Sequence, residues 1–467
     1  MDNPFIKQTK PSMTQMVSVI AMLVFLPMML LATSEIVQLL TKASGTPANI
    51  VINTKIELEP LDLSYFHAFA QGGEEGVGML KPVVNQIKAL KPQVIRLDHI
   101  YDHFDVVKKS GDQLSYDWSK LDEEVNTILE MGAKPLLALS YMPAAIAKDG
   151  VIINPPTNWN DWASVVQATI ERYSGKGSKN LSGLYYEVWN EPDLAQFGGW
   201  KYGGEKSYIT LYQYASMGAK RAQNVNTFYL GGPGTTGLYK SWILALVNSG
   251  ARVDFLSWHT YQRDPAKYDT DQRDIASWLL PYPYYSLAPK LITEFGFTGD
   301  KSPAYGTTYA AAHAAAVIRQ LLSNGVTYAF SFQPKDGPNQ QSGNGWGLIT
   351  HQDNSLRKKP RYDIYPFIDS CDGKRVSLSG EGSWVTGFAS VKSGKYCVIL
   401  VNFDVNGTHT ESVPITIGGL DNGSYTVRQK FFLGSDTSLT ETVTNGSIQK
   451  KILMPASSIL QLEISKK

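Results

Sequence analysis

Short apolar runs alternate with longer amphipathic segments between residues 61 and 364. This alternation is typical of repeated βα units, whose strands form a parallel sheet. Eight such units in about 300 residues favour a closed (β/α)8 TIM barrel over an open doubly wound sheet, which also needs a glycine-rich nucleotide turn that the sequence lacks. The eight runs predicted as barrel strands are Leu61–Phe69, Val94–Asp98, Pro135–Ser140, Gly183–Asn190, Thr227–Gly231, Val253–Tyr261, Lys290–Gly296 and Thr327–Gln333.

The pattern changes after Cys371, where short alternating segments are separated by Gly, Asn and Asp turns. Such segments are typical of an antiparallel β-sandwich, so an accessory sandwich is predicted beside the α/β barrel. The segment Asn49–Leu58 alternates in the same way. An isolated strand would leave its backbone groups unpaired, and we therefore expect this segment to join the sandwich.

The length of 467 residues favours two or three structural units. We divide the chain into residues 1–40, a cytoplasmic tail with a membrane anchor or signal segment, and residues 41–60, a linker and strand that joins the sandwich. Residues 61–370 form the predicted barrel, and residues 371–467 form the predicted β-sandwich.

The N-terminal segment carries an apolar run, Met16–Ala32, with Lys7 and Lys10 before it and Glu35 after it. Basic residues before an apolar run keep the N-terminus in the cytoplasm and send the rest of the chain across the membrane. The run is longer than a signal-peptide core of about 7 to 15 residues and shorter than the roughly 20 residues of a full span. We expect an uncleaved membrane anchor, and the alternative is a signal segment cleaved at Ala32–Ser34. In both cases the barrel lies outside the cytoplasm, either membrane-anchored or secreted.

Charge and cysteine content limit the possible partners. The 43 Lys and Arg residues balance 42 Asp and Glu residues, so no basic surface for nucleic acid is expected. The two cysteines, Cys371 and Cys397, lack metal-type Cys/His spacing. They form a disulfide worth roughly 3 kcal/mol in an oxidising compartment, or they stay as two buried thiols; the sequence leaves both open.

Two carboxylates occupy predicted strand ends, where the reactive residues of a TIM barrel are found. Asn190 and Glu191 close the fourth run, and Glu294 lies near the end of the seventh. Three βα units of about 35 residues separate the two glutamates, so both are expected at the same mouth of the barrel. Two carboxyl groups that face each other can cleave a glycosidic bond, because one protonates the leaving oxygen and the other attacks the anomeric carbon.

The chain resembles glycoside hydrolase family 39, within the retaining glycosidases of clan A. The resemblance rests on the heptapeptide Tyr186–Pro192, on the tetrapeptide Trp258–Tyr261 at the end of the sixth run, and on the flanking sandwich. This family includes β-xylosidases, α-iduronidases and bacterial exopolysaccharide hydrolases; heparanase-like enzymes are the next best match. The resemblance covers residues 61 to about 370. It implies a retaining hydrolase without a cofactor or metal, acting on an extracellular or cell-surface oligosaccharide or polysaccharide.

The resemblance also implies roles for individual residues. Glu191 would be the acid/base and Glu294 the nucleophile, with their carboxyls about 5 to 5.5 Å apart rather than the roughly 6.5 to 9.5 Å of inverting enzymes. Asn190 would bind the 2-hydroxyl of the sugar. Tyr261 would donate a hydrogen bond to the nucleophile, and His259 would face the same side of its strand.

Other residues at strand ends are candidates for substrate binding. Arg96 is expected to hold Glu294 ionised or, equally, to pair with Glu187. The remaining candidates are as often hydrogen-bond partners within a barrel rim, and they are His67, Asp98, His99 and Tyr141.

The eighth run departs from the family pattern, because clan A enzymes commonly carry a Trp there beneath the sugar. This chain has Phe332 and Gln333 at that place, with Trp346 in the following loop as a substitute. The departure affects the choice of sugar more than the reaction. Two alternative functions use the same groove: a transglycosylase with the same site, and a non-catalytic polysaccharide-binding protein.

Overall fold

The computed structural model describes residues 45–322, 325–339 and 343–467. The predicted membrane anchor or signal segment lies outside these residues. Within the described ranges, every helix is too short or too polar to cross a membrane.

Strands and helices follow one another in βα order through the first three quarters of the described chain, and strands alone make up the rest. The strands are β1 (Ile50–Pro60), β2 (Ala68–Gln71), β3 (Val94–Leu97), β4 (Val107–Ser110), β5 (Gln113–Tyr116), β6 (Lys134–Leu139), β7 (Leu184–Val188), β8 (Phe228–Thr235), β9 (Phe255–Tyr261), β10 (Lys290–Gly296), β11 (Tyr328–Phe332), β12 (Lys374–Ser379), β13 (Val385–Lys392), β14 (Lys395–Asn402), β15 (Glu411–Gly418), β16 (Gly423–Phe431), β17 (Asp436–Val443), β18 (Ser447–Met454) and β19 (Ser458–Lys466). The helices are α1 (Val84–Lys88), α2 (Ser119–Glu130), α3 (Trp159–Ser174), α4 (Tyr208–Arg221), α5 (Lys240–Val247), α6 (Ala266–Leu279), α7 (Pro283–Ser286), α8 (Thr308–Leu321) and α9 (Pro360–Asp369).

Eight parallel strands close into a barrel in the order β10-β11-β2-β3-β6-β7-β8-β9, which confirms the predicted TIM barrel. Each strand is buried on both faces, because one face lines the barrel interior and the other packs against helices. Val94 of β3, for example, belongs to the interior cluster with Leu136 and Phe255, whereas Ile95 packs outward with the helices. Arg96 is two residues after Val94 and therefore points inward.

A bulge in β10 changes which residues face the interior. Ile292 pairs with Trp258 and Glu294 pairs with His259, so Thr293 is an extra residue relative to β9. Without it, Glu294 would point outward, because it is three residues after the inward-facing Leu291. The bulge turns the Glu294 side chain into the barrel mouth.

The C-terminal strands form one continuous nine-stranded sheet, in the order β17-β16-β19-β14-β13-β12-β1-β15-β18. Strand β1 lies inside this sheet, antiparallel to β12 and parallel to β15. The predicted partner strands for Asn49–Leu58 are therefore found, but the prediction of a purely antiparallel sandwich was wrong at the β1–β15 pair. Strands from both ends of the sheet, such as β15 and β16, bury side chains in a common core.

Strand β14 joins the sheet to the barrel. Val398 and Leu400 face the core of the sheet, whereas Ile399 and Val401 pack into the large cluster that surrounds the barrel. A disulfide links Cys397 of β14 to Cys371, which follows α9, with a Cα–Cα distance of 5.4 Å. Of the two possibilities that the sequence left open, the structure has the disulfide.

Candidate active site

A cavity of about 510 Å³ opens at the carboxyl ends of the barrel strands. Its position is the one that TIM-barrel enzymes use for their active sites. Seven of the residues predicted from the sequence line it: Asp98, His99, Asn190, Glu191, Tyr261, Glu294 and Trp346.

Glu294 lines the cavity and accepts hydrogen bonds from two donors. Arg96 donates from Nη1 to Oε1 at 2.9 Å, and the hydroxyl of Tyr261 donates to Oε2 at 2.7 Å. Burial raises the pKa of the Glu294 carboxyl above its ordinary value, although His259 and Arg96 both act to lower it. The two hydrogen bonds fix the orientation of the carboxylate within the barrel mouth.

Glu191 stands at the end of β7 on a turn with unusual backbone geometry. Both Trp189 and Glu191 lie in the left-handed region, with φ of 76° and 43°, which few residues other than glycine adopt. The Glu191 backbone N–H donates to the carbonyl of Gly234 on β8 at 2.9 Å, and this bond holds the turn. The Glu191 side chain is only partly buried, so it is the more accessible of the two glutamates.

His259 connects the two carboxylates. Its Nδ1 lies 2.8 Å from Oε1 of Glu191 and 3.6 Å from Oε2 of Glu294. One side-chain atom of each of the three residues falls within 4.8 Å of the others. Burial lowers the pKa of His259, but the charges of Glu294 and Glu191 outweigh burial and raise it.

Arg96 pairs with both of the partners proposed for it. Nε donates to Glu187 at 2.7 Å, Nη1 reaches Glu294, and Nη2 donates to the amide oxygen of Asn190 at 2.7 Å. The guanidinium is fully buried beneath the cavity and does not line it. The expectation that Arg96 contacts substrate is therefore replaced by a positioning role.

Asn190 is oriented by its neighbours on both sides. Its oxygen accepts from Arg96, and its Nδ2 donates to the hydroxyl of Tyr141 at 2.8 Å. Tyr141 is buried behind Asn190 and does not line the cavity, because its ring is packed edge-on against Trp189. It supports the site from behind.

Two further predicted residues, His67 and Gln333, do not line the cavity. His67 precedes β2 instead of following it, because the run Leu61–Phe69 is mostly loop and a 3-10 turn, and the strand begins only at Ala68. At that opposite end of the barrel, Nε2 of His67 pairs with Asp369 at 3.0 Å. Gln333 is fully buried and accepts from Gln71 at 2.9 Å, while Phe332 lines the cavity.

Several loop residues of the cavity were not predicted. Phe197, six positions after Glu191, stacks on Tyr141 with ring centroids 5.6 Å apart. Glu74 pairs with Lys301 at 2.8 Å, and that lysine lies over the Trp346 ring. The further cavity residues without a sequence signal are Gly72, Gly73, Leu194, Gln196, Thr236, Gly299 and Asp300.

Two groups of side chains within the described residues have the spacing of metal ligands. One is the trio of Glu191, His259 and Glu294, and the other is His99, Asp102 and His103. In the second group, Nδ1 of His99 lies 2.7 Å from Asp102, and the rings of His99 and His103 stack. Internal hydrogen bonds account for both arrangements.

The sequence profile of "Glycosyl hydrolases family 39" matches residues 81–275 of this chain. A β-xylosidase of Caldicellulosiruptor saccharolyticus is 24% identical over 349 residues, which is 66% of this chain and 68% of that protein. A β-xylosidase of Geobacillus stearothermophilus is 25% identical over 308 residues, or 57% of this chain and 58% of that protein. The crystal structure of a monomeric β-xylosidase from Caulobacter crescentus CB15 has the same fold, with a TM-score of 0.71, 17% identity and coverage of 90% of this chain and 99% of that one.

Proposed function

We propose that this chain, which matches the family 39 profile of the glycosyl hydrolases over residues 81–275, acts on a carbohydrate and cleaves its glycosidic bonds by double displacement with retention of configuration. The match favours a hydrolase over the non-catalytic binding protein that the sequence alone left open.

The close approach of Glu191 and Glu294 carries the proposal. One carboxylate oxygen of each lies within 4.8 Å of the other. Retaining enzymes hold their carboxyl groups about 5 to 5.5 Å apart, whereas inverting enzymes keep roughly 6.5 to 9.5 Å to leave room for water. The spacing favours direct attack by a carboxylate.

Each step then follows from the contacts of the two residues. In the first step Glu191 protonates the leaving oxygen while Glu294, oriented by Arg96 and Tyr261, attacks the anomeric carbon and forms a glycosyl-enzyme. In the second step the Glu191 carboxylate takes a proton from water, and that water displaces Glu294. His259 donates to Glu191 and stabilises the carboxylate between the two steps.

The substrate proposed is an oligosaccharide or polysaccharide outside the cytoplasm. The apolar run Met16–Ala32 after two lysines supports export of the barrel, and we expect the protein to stay with the membrane fraction until detergent is added. Release of a soluble form beginning near Glu35 would instead show cleavage. Aryl β-xylosides are the first substrates to test, because two similar proteins are β-xylosidases.

Two variants test the roles of the glutamates. Glu191→Ala should keep its first step on an activated aryl glycoside, since such a leaving group needs no proton, and should lose nearly all activity on natural glycosides. Glu294→Ala should lose both activities, because no glycosyl-enzyme forms. Glu205→Ala, which removes an exposed carboxylate of the loop that follows Glu191, is the matched control.

Added azide makes the assignment sharper. With Glu191→Ala, azide should attack the glycosyl-enzyme and give a glycosyl azide of retained configuration, whereas Glu294→Ala should give the inverted azide. NMR of the products distinguishes the two anomers. Equal losses on every substrate, with no azide product from either variant, would show that the pair is misassigned.

A further inference from the structure

The cavity wall is rich in acidic side chains. Five carboxylates line it, and no lysine or arginine is among the described lining residues: the five are Glu74, Asp98, Glu191, Glu294 and Asp300. Two of these belong to the reaction proposed above. Of the other three, Glu74 is paired with Lys301, so the charges of Asp98 and Asp300 are the ones available to select the substrate.

Nearby cations offset only part of this negative charge. Arg96 lies beneath the cavity and is shared between Glu187 and Glu294, and Lys301 offsets the charge of Glu74. His99 forms its ion pair with Asp102 and not with Asp98. The cavity therefore has a net negative potential, which low-dielectric walls concentrate on a bound ligand.

Asp98 is the acidic residue whose geometry points to a ligand. It lines the cavity, is only 4% exposed, and its Oδ1 has no hydrogen-bond partner among the described residues. Within the described chain it forms no ion pair, and Arg96 is already occupied by three other groups. An unpaired buried carboxylate oxygen is costly, so a donor from the substrate is the natural partner.

We propose that this cavity binds an uncharged or aminated sugar and excludes uronic acids, and that Asp98 sets this preference. A sugar hydroxyl or ammonium group donates to Oδ1 of Asp98, whereas a sugar carboxylate has no proton to donate and is repelled by the acidic wall. The inference rests on the proposed function, because it assumes that the cavity receives the glycosyl unit. It goes further by naming the class of glycan.

Matched pairs of oligosaccharides separate charge from sugar shape. Each uronic acid oligomer is compared with its carboxyl-reduced counterpart, which has the same linkage and ring stereochemistry but a hydroxymethyl group in place of the carboxylate. Xylo-, gluco-, galacto- and hexosamine oligomers complete the panel. Binding is measured by calorimetry and Trp fluorescence on Glu191→Gln, which is isosteric with the protonated acid and prevents turnover.

We expect the neutral partner to bind at least about tenfold more tightly than the uronic acid within every pair that binds. The ratio should shrink near 1 M salt, where the screening length falls to about 3 Å. Asp98→Asn, introduced into the Glu191→Gln variant, should also shrink this affinity ratio. It should weaken the binding of neutral and aminated sugars and strengthen the binding of uronic acids. Asp112→Asn, which removes an exposed carboxylate in the turn between β4 and β5, should leave the ratio unchanged.

Tighter binding of the uronic acids overturns the inference, as does a ratio that Asp98→Asn does not alter. Failure of every neutral and aminated oligosaccharide to bind overturns it as well. None of these results depends on turnover, so the inference fails separately from the hydrolase mechanism, which the aryl glycoside and azide experiments decide.

Discussion

Tyr261 and Tyr268 lie near one another but differ in what their hydroxyls contact. Tyr261 donates to Glu294, whereas Tyr268 is buried and donates to the backbone carbonyls of Thr260 and Gly296. This pair separates an effect on the carboxylate from a general effect of losing a buried hydroxyl.

We expect Tyr261→Phe to lower kcat/KM by about 10- to 100-fold, because a hydrogen bond to a charged group is worth roughly 1.5 to 3 kcal/mol. The lost donor stabilised the ionised form, so the pKa of Glu294, already raised by burial, should rise further. Glu294 must be ionised to attack, and the acidic limb of the kcat/KM profile should therefore move to higher pH.

The pH–rate profiles of both variants provide the check. Tyr268→Phe should lose thermal stability without moving the acidic limb. A limb that stays in place in Tyr261→Phe, or moves to lower pH, contradicts the assignment of Glu294 as the ionised nucleophile.

The residues around this carboxylate differ in how far the sequence could reveal them. Asn190, Glu191 and Glu294 were predictable because each belongs to a family motif that falls at the end of a predicted barrel strand. Asp98 and Trp346 were predictable as members of the cavity but not in their contacts. Phe197 was not predictable, because its place depends on how a long loop folds back over Tyr141.

Among the elements, β1 is a strand whose alternation of buried and exposed residues predicts that it pairs with a sheet. Ile50 and Ile52 are fully buried, whereas Val51 between them is 41% exposed. This alternation requires that one face of the strand pack against a sheet. The barrel is closed and cannot accept another strand, so the C-terminal sheet was the remaining partner.

We expect Ile52→Ala to cost about 2 to 5 kcal/mol, because it leaves a cavity in the core shared by β1, β15 and neighbouring strands. Val51→Ala should cost less than about 0.5 kcal/mol, since that side chain is on the exposed face. Thermal unfolding of the two variants measures the difference. Equal losses would mean that β1 does not depend on the sheet core.

The starts of the barrel strands were less predictable than their ends. A strand buried on both faces has no polar alternation to mark where it begins, and Leu61–Phe69 reads as one apolar run. That is why His67 was expected at the mouth and lies at the opposite end. The bulge at Thr293 was also hidden, because an extra residue leaves no compositional trace.

At the scale of the whole molecule, the disulfide between Cys371 and Cys397 ties the end of the barrel to the sheet. Cys371 lies beside His67, at the end of the barrel away from the active-site cavity. We expect the Cys371→Ser/Cys397→Ser double variant to lose about 2 to 4 kcal/mol of stability while keeping its kcat.

Thermal unfolding with and without reductant, beside thiol titration of the native protein, measures this contribution. The wild-type protein should show no free thiol and a Tm that falls on reduction, whereas the double variant should not respond to reductant. A kcat that falls with the Tm would contradict the separation of the disulfide from the active site.

The overall architecture was predictable because βα alternation followed by short turn-bounded strands has few solutions. The continuity of the second sheet was not, since the parallel β1–β15 contact joins segments from distant parts of the chain. The local sequence pattern predicts which face of each strand is buried, but it does not predict which strand pairs with it.

The place of β1 has a consequence for how the molecule is made. A ribosome releases β1 before the barrel, but both of its neighbours, β12 and β15, are synthesised after the barrel is complete. Until then its two hydrogen-bonding edges are open, and unpaired strand edges promote aggregation. A chain that terminates before β15 therefore keeps at least one edge of β1 unpaired, and we expect it to aggregate more readily than the full chain.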